Sequence, residues 1–127
     1  MIRGTGIDIV EIERIEAALA RHEGRMKERL FTESEQAYCE ARHTPLLHYA
    51  ARFAAKEAFS KAVGTGMSGG LRWRDIEIVN LPSGEPVLRA HGVAAELIQR
   101  RGAVRAHVTL SHSRTVAVAC VVIESDE

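Results

Sequence analysis

Apolar positions along this chain change their spacing several times, and each change marks an element. Gly4 to Ile12 carries apolar β-branched residues behind two glycines, which predicts a short strand. Ile7 and Ile9 take one side of it; Asp8 takes the other, with Val10. The spacing then becomes helical. Ile12, Ile15 and Leu19 line one face, and Arg14, Ala18 and Arg21 line the opposite one. Gly24 breaks or kinks this helix, and Arg25, Met26 and Arg29 follow it. If the helix continues past Gly24, Arg25 extends the basic stripe, while Glu13, Glu16 and Glu23 lie off it. Thr32-Glu-Ser-Glu35 has the form of a capping box and opens a short helix towards Arg42. Thr44 caps the next helix, Pro45 takes its first position, and it runs about 30 Å to Gly64.

The second half is mostly strand. Gly69-Gly70 marks a flexible loop. Ile76 to Val79 is a strand, Pro82 to Pro86 a turn, and Val87 to Ala90 the returning partner. Val93 to Arg101 is a helix ended by Gly102. Ala106 to Ser111 and Thr115 to Ile123 form a final hairpin around Ser113-Arg114. The expected architecture is α+β, one domain over residues 1–127, with a small antiparallel sheet packed against a long central helix.

Composition narrows the function. The chain has 127 residues and 46% apolar content, enough for a single compact domain. Its 17 bases balance 17 acids, which argues against bulk affinity for nucleic acid, so any basic site is local. Cys39 and Cys120 show no metal spacing and are expected as reduced packing residues. The apolar run Val116 to Ile123 is too short to span a bilayer, and the start of the chain has no signal-peptide pattern. The expected location is cytoplasmic.

Chemistry concentrates in Arg52 to Gly66. At 100° per residue, Ala54, Ala55, Ala58, Phe59 and Ala62 form a side to be buried. Arg52, Lys56, Glu57, Ser60, Lys61 and Gly64 form the side expected to be open. Such a composition suits a phosphate held beside a hard cation. As a plain helix pair, Glu57 and Lys61 contribute only about 0.2–0.5 kcal/mol. Asp8 is costly to bury alone, so it faces water, pairs with a base or binds a cation. Asp8 with Glu57 gives two carboxylates from separate elements, which suits magnesium, an ion that keeps waters and takes substrate phosphate oxygens.

The ordered set of motifs resembles the 4′-phosphopantetheinyl transferases, and most closely their short bacterial branch. Gly6-Ile-Asp-Ile9 and Phe53-Ala-Ala-Lys-Glu-Ala-Phe-Ser-Lys61 carry the likeness. Gly64-Thr-Gly66, Asp75 to Ile78, Gly84-Glu-Pro86 and Leu110 to Ser113 continue it. The resemblance implies that the phosphopantetheine arm of coenzyme A passes to a serine of apo acyl carrier protein, with adenosine 3′,5′-bisphosphate released. This is a step of fatty acid biosynthesis.

The resemblance also implies roles. Asp8 and Glu57 would hold magnesium, and Lys61 would meet the pyrophosphate, where one such charge pair is worth about 4 kcal/mol at 4 Å. Arg52 would meet the 3′-phosphate. Ser60, Ser111 and His112 would contact coenzyme A, and Gly64 and Pro86 would let backbone approach it. The serine proton would go to a magnesium-held water oriented by Glu57, or to His112. Arg14, Arg21, Arg25, Met26 and Arg29 would dock an acidic helix of the carrier. The family's basic cluster before the long helix is reduced here to Arg42 and His43. The short branch is trimeric, with each site shared across an interface. Read from residues alone, a coenzyme A-binding module without catalysis and a metal-dependent phosphohydrolase stay open.

Overall fold

The structure, a computed structural model, describes residues 1–21 and 24–127. The expected position of Glu23 off the basic stripe lies outside the described residues. Strand β1 (Ile2–Glu11) leads into α1 (Ile12–Arg21), followed by α2 (Arg25–Leu30) and α3 (Glu33–Glu40). The long helix α4 (Pro45–Ala62) precedes the hairpin β2 (Ile76–Asn80) and β3 (Pro86–Ala90). Helix α5 (Gly92–Arg100) and the hairpin β4 (Arg105–His112) and β5 (Val116–Glu124) complete the chain. The expected sheet is in fact two antiparallel sheets: one of three strands in the order β1-β5-β4, and the pair β2-β3.

Local sequence explains most boundaries. The Thr32 side chain accepts from Glu35 N, and Glu35 accepts from Thr32 N at 2.9 Å, so the capping box forms. Pro45 opens α4 as expected, but the Thr44 side chain makes no capping bond. Gly24 adopts φ +88° and stands as the N-cap of α2. Arg25 therefore belongs to a new helix and does not extend the stripe of α1, because a left-handed residue interrupts the helical path.

Helix α4 packs against β1, β5 and β4 on one side and against α3 and β2 on another. Two glycines let β1 come close. A Cβ at Gly4 would land on the Ala62 carbonyl oxygen, and one at Gly6 on that of Ala58. Ala54, Ala55, Ala58, Phe59 and Ala62 are buried, as their spacing predicts. The opposite side is not open as expected: Arg52, Lys56 and Ser60 are buried too. Their polar groups find partners inside. Lys56 Nζ donates to Glu35 Oε1 at 2.7 Å and to the Trp73 carbonyl at 3.0 Å. Ser60 Oγ donates to the Glu57 carbonyl at 2.6 Å, and Arg52 Nη2 to Asn80 Oδ1 at 2.6 Å. Burial lowers the Lys56 pKa, although Glu35 opposes the shift. Cys39 is a buried free thiol, pushed up to about 12 by burial, as suits a packing residue.

Candidate active site

The helix presents Glu57 and Lys61 on the side that β1 flanks. Asp8 pairs with the inward-facing Ala119 across β1 and β5, so the strand turns its carboxylate towards α4. Ile7 and Ile9 turn outward and are 62% and 65% exposed. Lys61 Nζ donates to Asp8 Oδ1 at 3.0 Å and to the Ile7 carbonyl at 2.9 Å. The expected convergence of Asp8, Glu57 and Lys61 is therefore present in a single chain.

Asp8 and Glu57 line one cavity of about 610 Å³ with Val10, Arg14, Ile15 and Phe53. The Glu57 pKa is raised, first by burial and then by the charge of Asp8, with Lys61 opposing. A carboxylate whose ionisation a neighbouring carboxylate opposes makes a place where a divalent cation is welcome. Among the described residues no group of three or more His, Cys, Asp or Glu could hold a metal. A two-carboxylate set fits magnesium, whose remaining ligands come from water and substrate oxygen.

The second set of predicted residues gathers elsewhere. Arg52 leaves α4 about 140° round the helix from Glu57. Its guanidinium lies 4.4 Å from the Tyr38 ring, and the Arg42 guanidinium lies at 4.4 Å from the same ring. Asn80, the partner of Arg52, pairs with Pro86 across β2 and β3, so Pro86 belongs to this group. His112 ends β4, with its ring 6.5 Å from that of His48. Ser111 is exposed beside it, in the outward row of the sheet. Gly64 is exposed just past α4 at φ +83°, with its N–H on the Lys61 carbonyl. The cavity of Asp8 and Glu57 is lined by none of Arg52, Pro86 or His112. One chain thus holds two half-sites on different sides of α4.

The residues expected to dock a carrier divide likewise. Arg14, Arg21, Arg25 and Arg29 are exposed, and Arg14 also borders the carboxylate cavity. Met26 is half-buried against the cluster of Leu30, Phe31, Cys39 and Tyr49, so packing takes part of its surface. Sequence reasoning passed over Tyr38, His48 and Asn80. The signal for His48 was its place one turn before Arg52 on the same helix; Asn80 and Tyr38 left none.

Fold and site together define an α+β protein that brings two carboxylates and a lysine together beside one cavity. The model of the 4′-phosphopantetheinyl transferase superfamily matches residues 4–121, and the chain belongs to that family. It is 46% identical over 124 residues to a holo-[acyl-carrier-protein] synthase of Syntrophus aciditrophicus, covering 98% of this chain and 97% of that one. With the corresponding protein of Geobacter metallireducens it shares 50% over 124 residues, 98% of each chain. The crystal structure of that enzyme from Neisseria meningitidis superposes with a TM-score of 0.90 at 33% identity, covering 98% of this chain and all (100%) of that one. The Bacillus anthracis enzyme, in complex with coenzyme A (3′,5′-ADP), gives a TM-score of 0.82 at 39% identity, covering 99% of both chains.

Proposed function

We propose that this protein is a magnesium-dependent enzyme that transfers the 4′-phosphopantetheine arm of coenzyme A to a serine of apo acyl carrier protein. The products are holo carrier and adenosine 3′,5′-bisphosphate. The observation that carries this is the meeting of Asp8 and Glu57 at one cavity bordered by the exposed Arg14, with Lys61 tied to Asp8 at 3.0 Å. A hydrolase needs the acids but has no use for a carrier-docking surface; here the two adjoin.

Asp8 and Glu57 are the residues that would hold magnesium. When bound, the ion supplies positive charge against the pyrophosphate oxygens. Lys61, already tethered to Asp8, exchanges part of that pair for a phosphate oxygen and stabilises charge that grows as the serine oxygen attacks phosphorus. Glu57 would also orient the water that receives the serine proton, by accepting a hydrogen bond from it. His112 stands with the other half-site and contacts coenzyme A. Arg52 holds the 3′-phosphate, with Pro86, Ser111 and Gly64 against the nucleotide; Ser60, buried on its own helix, supports Glu57 through the carbonyl bond.

The active assembly in this reading is a homotrimer. The separation of the half-sites requires a second copy to bring its own Arg52–Pro86–His112 group to Asp8 and Glu57. The outward sheet face, with Ile7, Ile9, Val118, Cys120 and Val122 in one surface, supplies the area to bury. Among the described residues no helix is long and apolar enough to cross a membrane. A cytoplasmic place in fatty acid biosynthesis, with no nucleic acid partner, completes the proposal.

Incubation with coenzyme A, magnesium and apo carrier, followed by intact-mass analysis of the carrier, tests it. Addition of the arm with release of adenosine 3′,5′-bisphosphate is expected. Cleaved coenzyme A with an unmodified carrier would overturn the reading.

A further inference from the structure

Three basic side chains converge round one aromatic ring, and a fourth, His112, meets one of them. Tyr38, on α3, lies between the guanidinium groups of Arg42 and Arg52, each at 4.4 Å. The His48 ring meets Tyr38 edge-on at 5.7 Å and His112 at 6.5 Å. Arg52 is 1% exposed, and its Nε is buried without a partner. An orphaned donor among unneutralised cations costs stability unless something anionic completes it.

We infer that His48, held beside Arg42 and Arg52 at the Tyr38 platform, takes up a proton as a phosphate monoester dianion, the 3′-phosphate of coenzyme A, settles against those arginines. This rests on the proposed transferase function and adds His48 to what remains of the basic cluster. His48 faces Tyr38 from α3, Arg42 from the turn before α4, Arg52 along α4 and His112 from β4. Among the described residues no carboxylate acts on it. Burial first, then Arg52, His112 and Arg42, hold its pKa below the ordinary value, so the free protein keeps it neutral at pH 7. A dianion beside it reverses the balance. Affinity is then highest while His48 is charged in the complex, and it falls as pH rises through the bound-state value. Each unit by which the phosphate lifts that value gives about a tenfold fall across the window.

The test is calorimetric titration of the assembled protein with coenzyme A and with 3′-dephospho-coenzyme A, at about pH 6 to 8.5. Two buffers of different ionisation heat are used. Proton uptake is expected with coenzyme A alone, and His48→Phe should abolish it. Equal uptake with both ligands, or uptake retained in His48→Phe, overturns the inference. Where that variant melts early, the imidazole titration of His48 followed by NMR decides. A rise with coenzyme A is expected, and no rise overturns the assignment. Wild-type protein that loads the carrier yet takes up no proton overturns this inference alone. Protein that loads no carrier overturns the function beneath it as well.

Discussion

Glu57 sits where its charge is least comfortable, and that has a measurable sign. Its folded pKa is raised, so the folded state binds a proton more readily than the unfolded chain. The destabilisation is absent below the unfolded value and complete above the folded one. Glu57→Gln should therefore abolish carrier loading at neutral pH while leaving the melting temperature unchanged or higher. A fall of more than about 4 °C, near the shift for 1 kcal/mol in a domain of this size, would make the residue structural. Asp8→Asn should likewise lose transfer, and it frees Lys61 from the carboxylate it pairs with at 3.0 Å. Magnesium titration by calorimetry should show weaker binding in both variants; unchanged binding contradicts the assigned ligands. Both acids were legible in the sequence, because strand alternation and the helical turn fixed their directions. The fate of Arg52 was not: its burial depends on Tyr38 and Asn80, distant in sequence and coded by no local pattern.

At the level of elements, α4 is held by polar ties as well as by alanines. Lys56 and Glu35 are both fully buried, and Glu35 also accepts from Ile78 N at 3.0 Å. One pair thus links α3, α4 and β2. Against the effect of burial, hydrogen bonds from Ser34, Thr32 and His91 hold Glu77 low, at about 2, beside the same junction. Lys56→Met should cost about 3–5 kcal/mol in urea unfolding, since it leaves a buried carboxylate uncompensated. Adding Glu35→Gln should restore part of the loss by removing the charge while keeping an acceptor; no recovery would argue against the pair. The start of α3 was legible from its capping box and that of α4 from Pro45. The polar side of α4 misled because a wheel records polarity, while burial depends on which neighbours bring matching groups. Gly6→Ala should destabilise by about 3 kcal/mol or more, since its Cβ would meet the Ala58 backbone. Gly24→Ala, with open space around it, should cost only about 1–2 kcal/mol for its left-handed backbone.

The molecule as a whole leaves one sheet face apolar and uncovered, and its two half-sites apart. Ile9→Lys should shift the protein to monomer in light scattering and remove transfer, while the circular dichroism of the folded chain persists. A transfer-competent monomer would show that one copy suffices. The α+β order was legible because β-branched runs alternate with helical spacing, with Pro82 to Pro86 marking the turn between β2 and β3. The division into two sheets was not, since nothing in β3 or β4 alone shows that their neighbouring edges stay unbonded. The close seat of β1 on α4 has a further result. At Gly4 and Gly6 no side chain separates the strand bearing Asp8 from the helix bearing Glu57, so the two backbones are held close there. Preference among divalent ions is then a matter of fixed span. Calcium, with its longer bonds and larger ligand number, would find little give there.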